Sequence, residues 1–297
     1  MITICLICGC SKTIITYNGK IRSGTPGNYT DNNVLMYKCE ICNVIWHKNI
    51  NIYNSAVFYE SDIYRKNMGE MVTLSEFNRQ HDWEILDKLN YTGTAVYRNK
   101  FFMDIGCGGG GLADYIRGVA NSVILVEPNK KFAEQLRARN YETFAYVNDA
   151  VAKYENSIEL ITSYDVIEHV EAPQMFLSSV YKLLSPGGKA FIGTPTEYPV
   201  LRGLLGAEFD SFLFSSQHPW VFSRKALEIM SQNCGFSSFE VKFYQKFGIG
   251  NLIAWLQTRK PNGEASYNFI TPSFNNLYRS EMASEETAEY LVLELIK

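Results

Sequence analysis

The chain has 297 residues, 46% of them apolar, and can therefore bury one large core together with a smaller appendage. It carries 28 basic and 31 acidic side chains, a formal net charge of -3, and no basic run, which argues against nucleic acid as a partner. Its apolar runs are only strand length, and its N-terminus lacks the pattern of a signal peptide. We therefore expect no membrane span and a cytoplasmic location.

Two cysteine pairs near the N-terminus have the Cys-x-x-Cys spacing of zinc knuckles. Cys5 and Cys8 form the first pair, and Cys39 and Cys42 form the second. Four thiolates in this arrangement bind zinc tetrahedrally and leave no open position for water, so the expected zinc is structural. Disulfides, a redox pair and ligation by Cys10 in place of Cys8 are the alternatives, and the spacing favours Cys8.

The first 50 residues are therefore predicted to form a zinc-ribbon-like module, and residues 51–98 a helical bridge or lid. Within the bridge, the apolar spacing of residues 71–89 predicts an amphipathic helix. An aromatic and acidic stretch precedes it. In that stretch Tyr59 and Tyr64 are candidate lid contacts, with ordinary packing as the alternative.

A glycine-rich loop follows the next apolar strand. That strand ends on Asp104, and the loop contains Gly106, Gly108 and Gly110. Glycines let the backbone turn tightly and approach a ligand closely, and the following helix presents its N-terminal amides. The next apolar run ends on Glu127, about where a carboxylate would meet ribose hydroxyls. The pattern predicts a cradle for a nucleotide-type cofactor; two buried strands joined by a glycine-rich turn are the alternative.

Asp104 and the three alternating glycines match the Asp/Glu-x-Gly-x-Gly-x-Gly signature of the class I S-adenosylmethionine methyltransferases. The chain resembles this family through most of its length after about residue 100. A pyrophosphate is repelled by a nearby carboxylate, whereas S-adenosylmethionine carries a sulfonium and an ammonium, so Asp104 favours it over a dinucleotide. The resemblance implies an α/β fold: a doubly wound, Rossmann-like sheet of seven strands whose last strand is antiparallel.

The resemblance also implies which residues hold the cofactor. The position of Asp104 and the loop backbone hold the methionine half, and Glu127 accepts both ribose hydroxyls. Asp149 is the expected partner of the adenine amine. The expected contacts as a set are Asp104, Gly106, Cys107, Gly108, Glu127, Asp149, Ala150 and Tyr164.

Residues 99–297 are expected to form the cofactor domain, with substrate-covering insertions near residues 198–220 and 245–289. Both insertions are rich in aromatic residues and follow strands whose carboxyl ends bind substrates in open α/β sheets. Between them, Ser223 is a candidate N-cap and Gly235 a candidate C-terminal stop of a helix.

His169 is the expected catalytic base because it follows the fourth strand of the fold, whose end adjoins the methyl group; orientation of the loop is the alternative. His218, in the first insertion, is a competing base. The segment Asp165-x-x-Glu168-His169 also resembles the acidic-histidine cluster of the ubiquinone-pathway O-methyltransferases, which binds a divalent ion. A second metal site at these three residues is therefore an open alternative.

The preferred function is methyl transfer to a small polar acceptor such as a sugar, nucleotide-sugar or glycan-pathway metabolite. The cofactor loop and the neutral-to-acidic charge support a small-molecule acceptor. The N-terminal cysteine module resembles that of methyltransferases which include enzymes of sugar and cell-surface glycan pathways. A zinc-ribbon RNA methyltransferase is one alternative, although the chain lacks the clustered Lys and Arg that phosphate contacts require. A binding protein that retains the fold without catalysis is the other.

Overall fold

The computed structural model describes residues 3–47, 56–261 and 265–297. Over these ranges the chain forms strands of two sheets, joined by helices and one short 3-10 turn at Ala95–Tyr97. The strands are β1 (Thr13–Gly19), β2 (Val34–Cys39), β3 (Ile45–His47), β4 (Phe101–Ile105), β5 (Ser122–Val126), β6 (Glu142–Phe144), β7 (Ile158–Tyr164), β8 (Leu184–Pro195), β9 (Trp220–Val221), β10 (Ser238–Tyr244) and β11 (Tyr290–Ile296).

The helices connect these strands. They are α1 (Ala56–Glu60), α2 (Ile63–Asn67), α3 (Leu74–Thr92), α4 (Gly111–Ile116), α5 (Lys130–Ala138), α6 (Val147–Tyr154), α7 (Pro173–Leu183), α8 (Pro199–Leu205), α9 (Ala207–Leu213), α10 (Arg224–Cys234), α11 (Ile249–Thr258) and α12 (Pro272–Ser284). None of the helices in the described part of the chain combines the length and the apolar character needed to cross a bilayer.

Seven strands form one mixed sheet in the order β10-β11-β8-β7-β4-β5-β6. Strand β4 lies parallel to β5 and to β7, and β5 lies parallel to β6. Parallel neighbours need crossover connections, which the intervening helices supply. The predicted Rossmann-like sheet with an antiparallel last strand is confirmed.

The central strands consist of nearly continuous apolar runs. Phe102 and Met103 of β4, Leu125 of β5 and Ile161 of β7 are fully buried. Parallel strands are covered on both faces by helices, so both alternating sets of side chains must be apolar. This requirement explains why these segments show no polar alternation.

Two predicted helices are confirmed with small shifts in their bounds. The amphipathic helix of the bridge is α3, which begins at Leu74 and ends at Thr92. The helix predicted between the two insertions is α10, where the Ala226 amide donates to Ser223 Oγ at 3.1 Å. Gly235 follows with φ of 83°, the left-handed conformation of a helix stop.

The chain divides into two compact units. The first unit comprises residues 1–52, 193–229 and 241–292, and the second comprises residues 53–192, 230–240 and 293–297. The predicted functional boundaries at residues 50 and 98 stay a prediction, and the first boundary, together with the start of the bridge, lies outside the described residues.

The first unit contains a four-stranded antiparallel sheet in the order β1-β2-β3-β9. Strands β1 to β3 come from the cysteine module, whereas β9 comes from the first predicted insertion: Trp46 pairs with Trp220 in the ladder. Phe209, Phe214 and Trp255 pack in the same core as the module. The module and both insertions therefore share one core within this unit.

Candidate functional site

The glycine-rich loop in the second unit joins β4 to α4. Gly106, Gly108 and Gly110 have φ values of 75°, 56° and 74°, a region that residues with a side chain rarely adopt. A Cβ atom at Gly106 would also lie 2.3 Å from Cγ2 of Val166. Both the backbone conformation and the close packing explain why the loop needs glycine.

Several amides of this loop already have partners inside the protein. The amides of Gly106 and Cys107 both donate to the carbonyl oxygen of Val126, at 2.8 and 3.1 Å. The amide of Gly108 donates to Oε2 of Glu127 at 2.9 Å. A pyrophosphate depends on free loop amides. The loop is therefore poorly suited to a dinucleotide.

Asp104 lies at the carboxyl end of β4, immediately before the loop, and is only 6% exposed. Its Oδ1 accepts a hydrogen bond from Thr162 Oγ1 at 2.7 Å. Burial raises the pKa of Asp104 to about 6, while the bond from Thr162 and the charge of Lys88 oppose the rise. A carboxylate held in so poorly solvated a place gains much from a cationic ligand.

Glu127 ends the neighbouring strand β5 and is 4% exposed. Besides the Gly108 amide, it receives the Asn129 amide at 2.9 Å and Nη2 of Arg65 at 3.2 Å, both on Oε1. Burial raises the pKa of Glu127, and the positive charge of Arg65 counteracts that effect. Asn129 also caps α5, since its Oδ1 accepts from the Phe132 amide. The turn after β5 thus fixes the carboxylate.

Arg65 is a site residue that the sequence analysis missed. It lies on α2, a helix of five residues, where no apolar periodicity can show which side is buried. The sequence signal that remains is a basic residue directly after the candidate lid residue Tyr64. That signal alone does not distinguish a buried arginine from an exposed one.

The cradle fits S-adenosylmethionine by its donor set as well as by its charge. Ser163 Oγ, Tyr164 Oη and Arg65 Nε are among the buried polar atoms that make no hydrogen bond to any described residue. Ser163 and Tyr164 end β7, beside the strand that carries Asp104. A buried polar atom without a partner costs about 1–3 kcal/mol, so a polar ligand that paired with Arg65 Nε, beside Glu127, would offset such a cost.

The predicted adenine contacts lie at the start of α6. Asp149 is exposed, and its Oδ2 accepts from the Tyr146 amide at 3.1 Å in a capping box, whereas Ala150 is fully buried. One carboxylate oxygen of Asp149 thus supports the helix. The contact of Asp149 and Ala150 with adenine stays a prediction, as do those of Cys107 and Tyr164 with the cofactor.

The structure brings His169 together with both candidate lid tyrosines. His169 Nδ1 lies 3.3 Å from Tyr59 Oη, and the ring of Tyr64 meets the imidazole edge-on at 5.7 Å between centroids. Burial raises the pKa of Tyr59, and the nearby charge of Glu168 raises it further. Glu168 is itself buried, and Asp165 adopts a left-handed conformation at the end of β7. A divalent ion at the Asp165, Glu168 and His169 positions stays a prediction.

His218 belongs to the first unit. Its amide donates to the carbonyl oxygen of Ser215 at 3.1 Å, within a buried polar turn that includes Ser216 and Gln217. Gln217 accepts from the amide of Gly24, which ties this turn to the loop between β1 and β2. The role of His218 as a base stays a prediction.

The two predicted insertions meet at one small cavity within the first unit. It has a volume of about 20 Å³. Its polar and aromatic lining includes Tyr198, Gln245, Asn251, Tyr278 and Glu289. Glu289 accepts from Gln245 Nε2 and from the Phe247 amide, both at 2.7 Å. In this conformation the cavity holds about one water molecule rather than a methyl acceptor.

The four predicted zinc ligands converge. The sulfur atoms of Cys5, Cys8, Cys39 and Cys42 all lie within 4.8 Å of one another, with Cys5 to Cys42 at 3.6 Å and Cys8 to Cys39 at 3.5 Å. A tetrahedral site with zinc-sulfur bonds of about 2.3 Å has edges of about 3.8 Å. All four thiols are free, so the disulfide alternative is wrong. Cys10 is not a member of this group.

Comparisons with known proteins agree with this geometry. The family model described as "Methyltransferase domain" matches residues 77–241. The chain is 29% identical over 145 residues to a ubiquinone biosynthesis O-methyltransferase of Thiobacillus denitrificans, covering 46% of this chain and 62% of that protein. It is 32% identical over 102 residues to the Proteus mirabilis protein of the same name, covering 32% and 42%.

The matched segments thus span about half the length of these curated relatives. Among solved structures, that of a SAM-dependent methyltransferase from Archaeoglobus fulgidus aligns with a TM-score of 0.51 at 13% identity. The alignment covers 74% of this chain and 99% of that one. At this identity the likeness concerns the fold.

Proposed function

The chain belongs to the methyltransferase-domain family, and we propose from this premise that it transfers a methyl group from S-adenosylmethionine to a small polar acceptor. The observation that carries the proposal is the pair of buried carboxylates, Asp104 and Glu127, on either side of a glycine loop whose amides are largely engaged. Such a cradle suits a cationic ligand that carries a ribose, and it repels a pyrophosphate.

Different residues of the second unit bind different parts of S-adenosylmethionine. Asp104 faces the cationic methionine half, while Glu127 binds the ribose and Asp149 the adenine. When bound, S-adenosylmethionine supplies an electrophilic methyl group on its sulfonium. The protein's contribution to an in-line displacement is chiefly alignment, which can be worth about 7–11 kcal/mol of the barrier in well-oriented systems.

A hydroxyl acceptor also has to lose its proton, and we assign this step to His169. The contact of its Nδ1 with Tyr59 Oη fixes the orientation of the imidazole ring that takes the proton. The names of the two curated relatives, both O-methyltransferases, support a hydroxyl over an amine or a carbon acceptor. Those names concern ubiquinone biosynthesis and do not support a sugar pathway, so the sugar acceptor is our proposal on the cysteine module alone.

We further propose that the four-cysteine cluster holds structural zinc. Its sulfur separations suit a tetrahedral ion, and a closed set of four thiolates leaves no position for a substrate. The small four-stranded sheet next to the cluster has little core of its own, and metal ligation supplies folding energy in such modules. The zinc would then stabilise the unit that carries both insertions.

The test is an incubation of the protein with methyl-labelled S-adenosylmethionine and three separate acceptor sets: polyhydroxy phenols, sugars with nucleotide-sugars, and RNA. We expect labelled product from one small-molecule set and none from RNA. Label on RNA that diminishes with salt would favour the RNA methyltransferase alternative. Tight cofactor binding without transfer to any set would favour the non-catalytic alternative. Failure to bind S-adenosylmethionine at all would refute the proposal.

A further inference from the structure

Arg65 is a buried cation that packs against two aromatic rings. Its side chain is only 7% exposed, and its guanidinium carbon lies 4.4 Å from the ring centroid of Phe77 and 4.0 Å from that of Phe132. The two rings are themselves an edge-to-face pair, with centroids 5.3 Å apart, so the guanidinium packs beside this pair. This packing limits the rotamers that are open to Arg65.

Two of the three guanidinium nitrogens are engaged. Nη1 donates to Glu70 Oε2 at 3.1 Å, and Nη2 donates to Glu127 Oε1 at 3.2 Å. Nε is buried and makes no hydrogen bond to any described residue. Because the guanidinium is a rigid planar fork, Nε-H and one Nη2-H leave from the same edge. The unused donor therefore shares an edge with Nη2, the nitrogen that donates to Glu127.

Glu127 has little acceptor capacity left. Its two oxygens already receive the Gly108 amide, the Asn129 amide and Arg65 Nη2. An ionised carboxylate offers about four lone-pair positions, so about one remains. A ribose presents two neighbouring hydroxyl groups. The predicted role of Glu127 as acceptor for both hydroxyls thus exceeds what the carboxylate can supply in this arrangement.

We propose that Arg65 is a second ribose-binding residue: Glu127 accepts a hydrogen bond from one hydroxyl of the diol, and Arg65 Nε donates to the oxygen of the other. The ligand class is an adenosine-type diol. The inference rests on the proposed function, since it takes S-adenosylmethionine as the cofactor. It accounts for the buried Nε donor and for the shortage of acceptor positions on Glu127 together.

The test measures binding rather than turnover. Calorimetry is performed with S-adenosylhomocysteine and with its 2′-deoxy and 3′-deoxy analogues, on the wild type and on Arg65→Lys. Lysine keeps a positive charge that can pair with Glu127, but it lacks the Nε-H donor of the guanidinium. Glu70→Gln is the matched control, because it removes the negative charge that pairs with Nη1 and leaves the contact of Nη2 with Glu127 in place. Thermal unfolding of each variant reports whether it is folded.

In the wild type we expect each deoxy analogue to bind about 10- to 100-fold more weakly than the parent ligand, as for hydrogen bonds to charged groups. In Arg65→Lys, one of the two deoxy analogues should bind about as tightly as the parent ligand. The other should still bind more weakly than the parent, as it does to the wild type. Glu70→Gln should keep both effects. This dependence on one hydroxyl is a readout that a general loss of packing would not produce.

Three results would overturn the inference while leaving the proposed function intact. In the first, Arg65→Lys retains both hydroxyl effects and binds the parent ligand as tightly as the wild type. In the second, it weakens all three ligands by the same factor, which would make Arg65 a structural residue. In the third, the wild type binds both deoxy analogues as tightly as the parent. By contrast, a wild type that binds neither S-adenosylmethionine nor S-adenosylhomocysteine would refute the proposed function itself.

Discussion

Asp104→Asn should stabilise the protein and weaken cofactor binding at the same time. Asparagine has nearly the same shape and can still accept the hydrogen bond from Thr162, so the change removes chiefly the buried charge. Burial raises the pKa of Asp104 from 3.8 to about 6, which at about 1.4 kcal/mol per unit corresponds to a cost of about 3 kcal/mol for the ionised form. This is the upper bound for the gain in stability.

The gain should depend on pH in a defined direction. The folded pKa of Asp104 lies above the unfolded one, so the wild type becomes less stable as pH rises from about 4 to 6 and remains so above that range. Urea unfolding should therefore show the variant to be more stable by up to about 3 kcal/mol at pH 8, with the difference shrinking toward pH 4. A constant difference across this range would contradict the reasoning.

Cofactor binding should respond in the opposite sense. At pH 7.5, Asp104→Asn should weaken the binding of S-adenosylmethionine by about 10-fold or more, because a charge-assisted contact is lost. The wild type should lose affinity as pH falls through 6, and the variant should not. Asp114→Asn is the matched control, since Asp114 is a partly exposed carboxylate on α4 that pairs with Arg139. Equal affinity of wild type and Asp104→Asn would refute the placement of the methionine half.

Other perturbations separate the roles of the remaining residues. His169→Ala should leave calorimetric cofactor affinity intact and lower kcat by about 100-fold or more if His169 is the base; unchanged turnover would remove it from that role. Gly106→Ala should lower the free energy of chemical unfolding by about 2–4 kcal/mol, because φ is positive and the Val166 side chain leaves no room for a Cβ atom. Gly118→Ala is the control, and it should be near neutral because its Cβ atom would meet open space. Cys42→Ser should abolish the one zinc equivalent that elemental analysis is expected to find, and Cys10→Ser should retain it.

Local features of the site could be predicted from the sequence because their physical basis is local. The turn after Asp104 requires positive φ at Gly106 and Gly108. Glycine adopts positive φ at no steric cost, so the glycines in the sequence reveal the turn. The Cys-x-x-Cys spacing predicted the cluster of four cysteines, since a tight turn brings the two sulfur atoms of each pair close enough to bind the same metal ion. Apolar runs likewise predicted that these segments are strands, whereas the family resemblance implied the arrangement of the sheet. The structure explains the runs, because both faces of parallel strands are covered.

Contacts between distant segments were not predictable in the same way. Arg65 reaches Glu127 across 62 positions of the chain, and the sequence around it shows neither its burial nor its contacts with the two aromatic rings. The approach of Tyr59 to His169 also depends on how α1 packs against the turn after β7. In both cases the local pattern allows several partners, and only side-chain packing selects one.

The largest element decided by tertiary structure is the four-stranded sheet. Sequence spacing predicted a separate cysteine module and an aromatic insertion far along the chain, yet Trp220 pairs with Trp46 in one ladder. The local sequence of a strand shows that the segment is apolar and extended. It does not identify the distant strand with which the segment pairs. The sequence by itself therefore determined the cofactor loop and the cysteine cluster. Tertiary packing decided which distant residues complete them, because shape and burial, rather than spacing, choose between alternative partners.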